Sequence, residues 1–165
     1  MSHAPFVLSR LSAEHDRASF ESDSPALTRY LREQASQDMR RRVAACFVAT
    51  THEGRIAGFY TLASASILLS ELPASTMKKL PRYPSVPAVR MGRLAVDQAF
   101  KGQGLGGALL ADALERAANA EIAAYALIVD AKDATAAAFY AHHGFIALPD
   151  TPMTLFLPLA TVRSM

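Results

Sequence analysis

The stretch that decides the fold is Lys101-Gly102-Gln103-Gly104-Leu105-Gly106-Gly107, with four glycines in the six positions 102–107. It follows a strand-like run, Val89 to Val96, and opens a helical pattern from Gly104 to Ala120. Small residues at such a junction let successive backbone N–H groups point at one spot. The helix N-terminus adds the positive end of its dipole, and the combination suits a pyrophosphate. A glycine turn without a ligand is the plain alternative, and four glycines at one strand-to-helix junction argue against it.

Two nucleotide-binding readings fit the glycines. Gly102, Gly104 and Gly107 satisfy G-x-G-x-x-G, and Asp130 lies 23 residues beyond Gly107, near where a Rossmann ribose-binding acid belongs. Chain position weakens that reading. A dinucleotide fold needs several more strand–helix units, and only 35 residues follow Asp130.

Working outward, Ala123 to Val129 is a continuous apolar run, the pattern of a strand covered on both faces. Asp133 to His143 reads as a second helix with Ala136, Phe139, Tyr140 and His143 on one stripe and Gly144 as its stop. In the first helix Gly106, Gly107, Leu110, Ala113, Leu114 and Ala117 share a face, while Asp112 and Glu115 point away. Phe145 to Leu157 closes the chain as a strand with Met153, Leu155 and Leu157 alternating.

Upstream, Phe6 to Leu8 reads as an edge strand, and Ser24-Pro25 as a helix start with Leu27, Tyr30, Leu31 and Ala35 at helical spacing. Val43 to Thr50 and Ile56 to Leu69 read as a hairpin around Gly54. A helical turn is expected at Ser75 to Leu80, with the rest of Leu72 to Pro87 as loop. The order is a β-meander followed by strand–helix–strand–helix–strand. It predicts one α/β domain over residues 1–165, a mixed and mostly antiparallel sheet with helices on both faces.

Composition agrees with a packed enzyme-sized domain. The 165 residues are 51% hydrophobic and 19% charged, which excludes a disordered tail or a coiled-coil rod. The longest run free of Asp, Glu, Lys, Arg and His, Ile56 to Ser70, has 15 residues, short of the roughly 20 that cross a bilayer. No export signal is visible, and the lone Cys46 excludes an internal disulfide and a Cys-based metal cage. A cytoplasmic protein with no membrane association and no metal is expected. The net charge of +2 is asymmetric: Met1 to Arg93 holds 13 Lys/Arg against 8 Asp/Glu, and Leu94 to Met165 holds 4 against 7. A basic face for an anionic partner is one reading, and ordinary fluctuation of surface charge is the other.

The glycine stretch also matches R/Q-x-x-G-x-G/A, and here the chain resembles the GNAT acyltransferases. Arg93-Leu94-Ala95-Val96-Asp97 resembles the family's fourth strand, and Ala136-x-x-Phe139-Tyr140-x-x-x-Gly144-Phe145 its C-terminal element. The resemblance implies a GNAT fold splayed between the fourth and fifth strands, with acetyl-coenzyme A as the acetyl-donor substrate. It assigns cofactor binding to Leu94, Ala95, Val96, Lys101, Gly102, Gln103, Gly104, Leu105, Gly106, Gly107, Asp133, Ala136 and Phe139. A backbone N–H near Leu94 to Val96 would polarise the thioester carbonyl. Tyr140 matches the tyrosine that protonates the leaving thiolate. The ordinary phenol pKa of about 10 lies above that of a typical thiol, and that transfer is expected to run downhill. A packing aromatic would show the same spacing as Tyr140. Lys101 departs from the usual Arg or Gln, and Asp133 stands where many members carry Asn, which puts its side-chain contact to pantetheine in question.

His142 and His143 point about 100° apart on a helix and are expected at the surface. Cys46, in an apolar strand, reads as core filler. The sequence names no general base.

From Arg10 to Leu159 the chain is further similar to the GNAT toxins of bacterial type II toxin–antitoxin modules. His15-Asp16-Arg17, Gly58-Phe59-Tyr60-Thr61-Leu62 and Leu80-Pro81-Arg82-Tyr83-Pro84 are among the matching segments. The similarity implies acetylation of the α-amino group of aminoacyl-tRNA, a block of translation, a ribbon-helix-helix antitoxin and a homodimer. Arg40, Arg41, Arg42, Lys78, Lys79, Arg82, Arg90 and Arg93 are the expected tRNA-binding cations. Arg40 to Arg42 also fit a solvated helix end, where cations are favoured anyway. A small amine or a protein N-terminus is the alternative acceptor and would not need these cations. A non-catalytic nucleic-acid-binding domain would keep the arginines and leave the glycine stretch without a purpose.

Overall fold

The computed structural model describes residues 5–162. Seven strands form one sheet in the order β1-β2-β3-β4-β5-β7-β6. They are β1 (Val7–Arg10), β2 (Ala45–Thr50), β3 (Ile56–Leu68), β4 (Ser85–Val96), β5 (Ala126–Asp130), β6 (Ile146–Ala147) and β7 (Thr154–Pro158). The helices are α1 (Pro25–Arg29), α2 (Ala35–Arg40), α3 (Ala74–Met77), α4 (Leu105–Ala118) and α5 (Ala134–His142). β4 and β5 pair in parallel, whereas β1–β2, β2–β3, β5–β7 and β6–β7 are antiparallel. The mixed, mostly antiparallel α/β sheet is therefore as expected. The β4–β5 register runs from Ala88↔Ala126 to Met91↔Val129, and β4 continues through Val96 while β5 ends at Asp130.

The residues group into two compact units. Among the described residues, the first comprises 5–63 and 92–113, the second 64–91 and 114–162. In the first, Ser24 caps α1 by accepting the Leu27 N–H (3.2 Å), with Pro25 at the helix start. A π-helical turn, Tyr30–Gln34, separates α1 from α2. Tyr30, Leu31 and Ala35 are buried with Phe20, Cys46, Phe59 and Ala95 in one core cluster. Gly54 turns the β2–β3 hairpin at φ +87°. Adjacent residues of β3 face opposite sides of the sheet. Phe59 joins that core cluster, and a Cβ on Gly58 would lie 2.9 Å from Leu109 Cδ1 of α4. Helices thus cover both faces here.

The second unit has its own core: Ile67, Leu69, Leu72, Val86, Ala88, Ala126, Ile128, Leu148 and Phe156. β4 begins at Ser85 rather than Val89, so Ser85 to Pro87 are strand and not loop. Pro87 is tolerated because only its N–H is missing; its carbonyl accepts the Tyr125 N–H at 2.8 Å. The expected last strand divides into β6 and β7. Leu155 and Phe156 are buried in succession instead of alternating, the pattern of a strand covered on both faces. β5 starts at Ala126, with Ile122 and Ala123 exposed.

The buried stripe of α4 also differs from expectation. It runs through Leu105, Leu109, Leu110, Ala113 and Ala117, and Gly106, Gly107 and Leu114 are half-buried. Asp112 does not simply face water. It is half-buried and accepts a hydrogen bond from the hydroxyl of the fully buried Tyr60, a partner far away in sequence.

Candidate active site

In the first unit, one buried carboxylate fixes the approach to the glycine stretch. Asp97 is 1% exposed at the end of β4 and caps the short 3-10 turn Gln98–Phe100. It accepts the Ala99 N–H at 2.8 Å, the Glu21 N–H at 2.9 Å and the Arg55 Nη2 at 3.2 Å. A buried charge needs this many partners to survive desolvation. The sequence shows Asp97 only as the end of a strand motif, although an Asp two residues before a turn N–H is a recognisable cap.

The glycine stretch then rises to α4. Lys101, Gly102, Gln103 and Gly104 are exposed, and Gly102 and Gly104 both take φ +78° with open space where a Cβ would point. That left-handed backbone is one that residues with a side chain strain to adopt. α4 starts at Leu105, so the first-turn N–H groups of Leu105, Gly106 and Gly107 lie at the positive end of a 14-residue helix. These residues fit a pyrophosphate without any further cation. Lys101 is paired with Asp23, an exposed contact of little energetic weight.

Beside it, Leu94 and Val96 are half-buried and Ala95 is 7% exposed. Close packing locks this strand segment, since a Cβ on Gly58 would also approach the Ala95 carbonyl oxygen to 3.0 Å. Arg93 is not a free cation. Its guanidinium lies 3.7 Å over the centroid of the Tyr30 ring. The Tyr30 hydroxyl donates to Asp38 at 2.7 Å, and Gln34 donates to the same carboxylate at 3.1 Å. The hydroxyl bond holds the Asp38 carboxyl below the usual carboxylate range.

In the second unit, Asp133 is the N-cap of α5 and accepts the Ala136 N–H at 2.8 Å. Ala136 and Phe139 are half-buried, and the Phe139 ring meets the Tyr140 and His143 rings edge to face. Both His142 and His143 are exposed, as expected. Tyr140 is 7% exposed. Burial, and then the Asp130 carboxylate, push its phenol up to about 12. The expected downhill proton transfer does not hold: a phenol at its ordinary pKa of about 10 is already a weaker acid than a thiol, and burial widens the gap. The group with the higher pKa is the weaker acid, so a proton passing from Tyr140 to a free thiolate runs uphill.

The expected cations divide between the units. Arg40, Arg41 and Arg42 are exposed at the C-terminal end of α2 in the first. In the second, Lys78, Lys79 and Arg82 are exposed, whereas Arg90 is paired with Asp130. Arg90 and Arg93 thus have partners inside the protein that no local pattern announces.

Residues 20–154 match the family described as "Acetyltransferase (GNAT) domain". A tRNA-acetylating toxin of Mycobacterium tuberculosis (strain ATCC 25618 / H37Rv) is 37% identical over 158 residues, 94% of this chain and 93% of the relative. Among solved structures, AtaT complexed with acetyl-methionyl-tRNAfMet superposes with a TM-score of 0.88 at 29% identity, covering 95% of this chain and 96% of that one. A mutant AtaT toxin bound to the C-terminus of the antitoxin AtaR and acetyl-CoA gives 0.78 at 25% identity, covering 94% of both chains. With its glycine stretch at a helix start, its parallel β4–β5 pair and a family match over most of its length, this chain belongs to the GNAT acetyltransferase family.

Proposed function

We propose that the protein transfers acetyl from acetyl-coenzyme A to the α-amino group of aminoacyl-tRNA and so blocks translation. The observation that carries the reading is the exposed pair Gly102 and Gly104, both at φ +78° immediately before a 14-residue helix. Similarity over 94% of the chain to a tRNA-acetylating toxin supports the acceptor. The chain works as one domain, supported by β3, β4 and α4, each of which has residues in both units.

Each residue has a defined task. The amides of Gly102, Gln103, Gly104, Leu105, Gly106 and Gly107 hold the pyrophosphate, and Lys101 adds a point charge on leaving Asp23. A backbone N–H among Leu94, Ala95 and Val96 polarises the thioester carbonyl, a contribution of about 3–4 kcal/mol in comparable oxyanion sites. Ala136 and Phe139 line the pantetheine path. Asp133 acts by capping α5 rather than by touching the pantetheine, since its carboxylate is already committed to the Ala136 N–H.

When bound, the thioester supplies an activated acetyl group. The neutral amine forms the C–N bond as the C–S bond breaks, and the amine's surplus proton leaves to water. Tyr140 donates a hydrogen bond to the sulfur as negative charge develops there. Any proton it yields to the thiolate is replaced from solvent, so the uphill step is never left standing.

Arg40, Arg41, Arg42, Lys78, Lys79 and Arg82 contact tRNA phosphates. Arg93 serves the site through Tyr30 instead, and Arg90 through Asp130. A ribbon-helix-helix antitoxin neutralises the toxin, two copies associate as a homodimer, and the protein acts in the cytoplasm. None of the helices among the described residues is long and apolar enough to cross a membrane.

Purified protein, labelled acetyl-CoA and a mixture of charged tRNAs test the reading. Label is expected in the tRNA fraction and to be released with the amino acid on mild alkaline hydrolysis. Label transferred only to free amines or to protein N-termini would favour the alternative acceptor.

A further inference from the structure

We propose that the groove between α3 and the start of β4 is a subsite for an unpaired nucleotide, with Tyr83 stacking on the base and Lys78 and Arg82 on its phosphates. The inference rests on the tRNA reading above and names the nucleic-acid segment that this part of the chain takes. The groove has a volume of about 630 Å³, inside the roughly 300–1,000 Å³ range of ligand sites. Leu69, Met77 and Leu80 give it an apolar lining, and Lys78 and Arg82 give it two cations. Among the described residues, no acidic side chain lines it. The nearby Glu71 carboxylate is held by the Leu68 N–H at 2.9 Å.

Tyr83 is the feature that selects the ligand. Its side chain belongs to a residue 64% exposed, which is costly for an aromatic that does nothing but pack. Two prolines hold it in place. The Tyr83 N–H donates to the Pro81 carbonyl at 2.9 Å, and the Pro84 carbonyl accepts the Leu69 N–H at 3.1 Å. The backbone is thus stiffened on both sides, and ordering it on binding costs little entropy. A rigid exposed ring with cations one and five residues away is the combination that holds single strands, because every base has a π-face and every linkage a charge. An acidic protein segment would use the cations and leave the exposed ring without a specific role.

The test compares uncharged tRNA with the same tRNA trimmed of its unpaired 3′ nucleotides, binding each to full-length protein over a range of salt. The variants are Tyr83→Ala, Tyr83→Phe and Arg82→Gln. Tyr83→Ala is expected to weaken binding of intact tRNA about tenfold with an unchanged salt slope. Tyr83→Phe keeps the ring and stays within about twofold of wild type. Arg82→Gln makes the slope shallower by about 1. Trimming the tRNA should erase the difference between wild type and Tyr83→Ala. Acetyl-CoA affinity, unchanged in Tyr83→Ala, serves as the control for folding. Equal binding of intact tRNA by Tyr83→Ala and wild type would overturn the subsite while leaving tRNA acetylation intact. So would a change confined to self-association or to binding of the antitoxin. Absence of tRNA binding and acetylation in wild type would instead remove the function on which the subsite rests.

Discussion

Burial holds the Tyr140 phenol proton far past neutrality, its pKa pushed up to about 12 by desolvation and by the Asp130 carboxylate. Tyr140 is therefore protonated throughout the range in which aminoacyl esters survive. Between pH 6 and 9 the rate should rise with deprotonation of the amine and show no descending limb from Tyr140. A steady-state pH profile of kcat/KM checks this, and a fall above pH 8 with constant KM would oppose it. Tyr140→Phe should lower kcat by 10²–10³ with acetyl-CoA affinity retained. Cys46 makes a second pH-dependent case. It is 1% exposed, and burial raises its thiol to about 12, whereas an unfolded thiol titrates at about 8.5. The folded chain keeps a proton that the unfolded chain loses between those values. This stabilising contribution is complete below about pH 8.5 and declines as pH rises towards 12. The stability gap between wild type and Cys46→Ala should narrow from pH 7 to pH 10 in urea melts. Packing gives a pH-independent prediction: Gly58→Ala would place a Cβ 2.9 Å from Leu109 Cδ1 and 3.0 Å from the Ala95 oxygen. The crowding should cost about 1–3 kcal/mol in the same melts.

Helix and strand identities follow from local chemistry, and that is why most were legible in the sequence. Ser24-Pro25 starts α1, Gly54 turns the hairpin and Gly144, at φ +94°, stops α5. Each of these signals acts within a few residues. What stayed illegible depends on partners far along the chain. The stripe of α4 includes Leu105 and Leu109 because β3 brings Gly58 against them. Asp112 turns inward because Tyr60 needs an acceptor. Arg90 and Arg93 read as free cations until Asp130 and the Tyr30 ring are placed beside them. Within the candidate site, the glycine turn at a strand-to-helix junction and the helix that carries Tyr140 were readable, whereas the burial of Tyr140 and the capping role of Asp133 needed the packed helix. Asp133→Ala should destabilise by about 0.5–2 kcal/mol, and Asp133→Asn should be close to neutral, since both Asp and Asn cap well. Thermal unfolding distinguishes the two.

Across the whole chain, the charge asymmetry gains a structural content that composition alone lacked. Of the basic residues before Leu94, Arg40, Arg41 and Arg42 stand exposed at one helix end, while Arg55 is tied to Asp97 and Arg32 to the Phe20 carbonyl. Neutralising the three helix-end arginines to Gln should weaken tRNA binding across all sequences and flatten its salt dependence by about one unit for each phosphate no longer neutralised. Acetyl transfer to aminoacyl-tRNA with Tyr140 at the leaving sulfur is the proposed reaction. Its most direct measurement is mass spectrometry of the aminoacyl-adenosine released from tRNA after induced expression of wild type beside Tyr140→Phe. Acetylated aminoacyl-adenosine in wild type and its near absence in the variant are predicted. Equal acetylation in the two would contradict the role of Tyr140, and none in either would contradict the function itself.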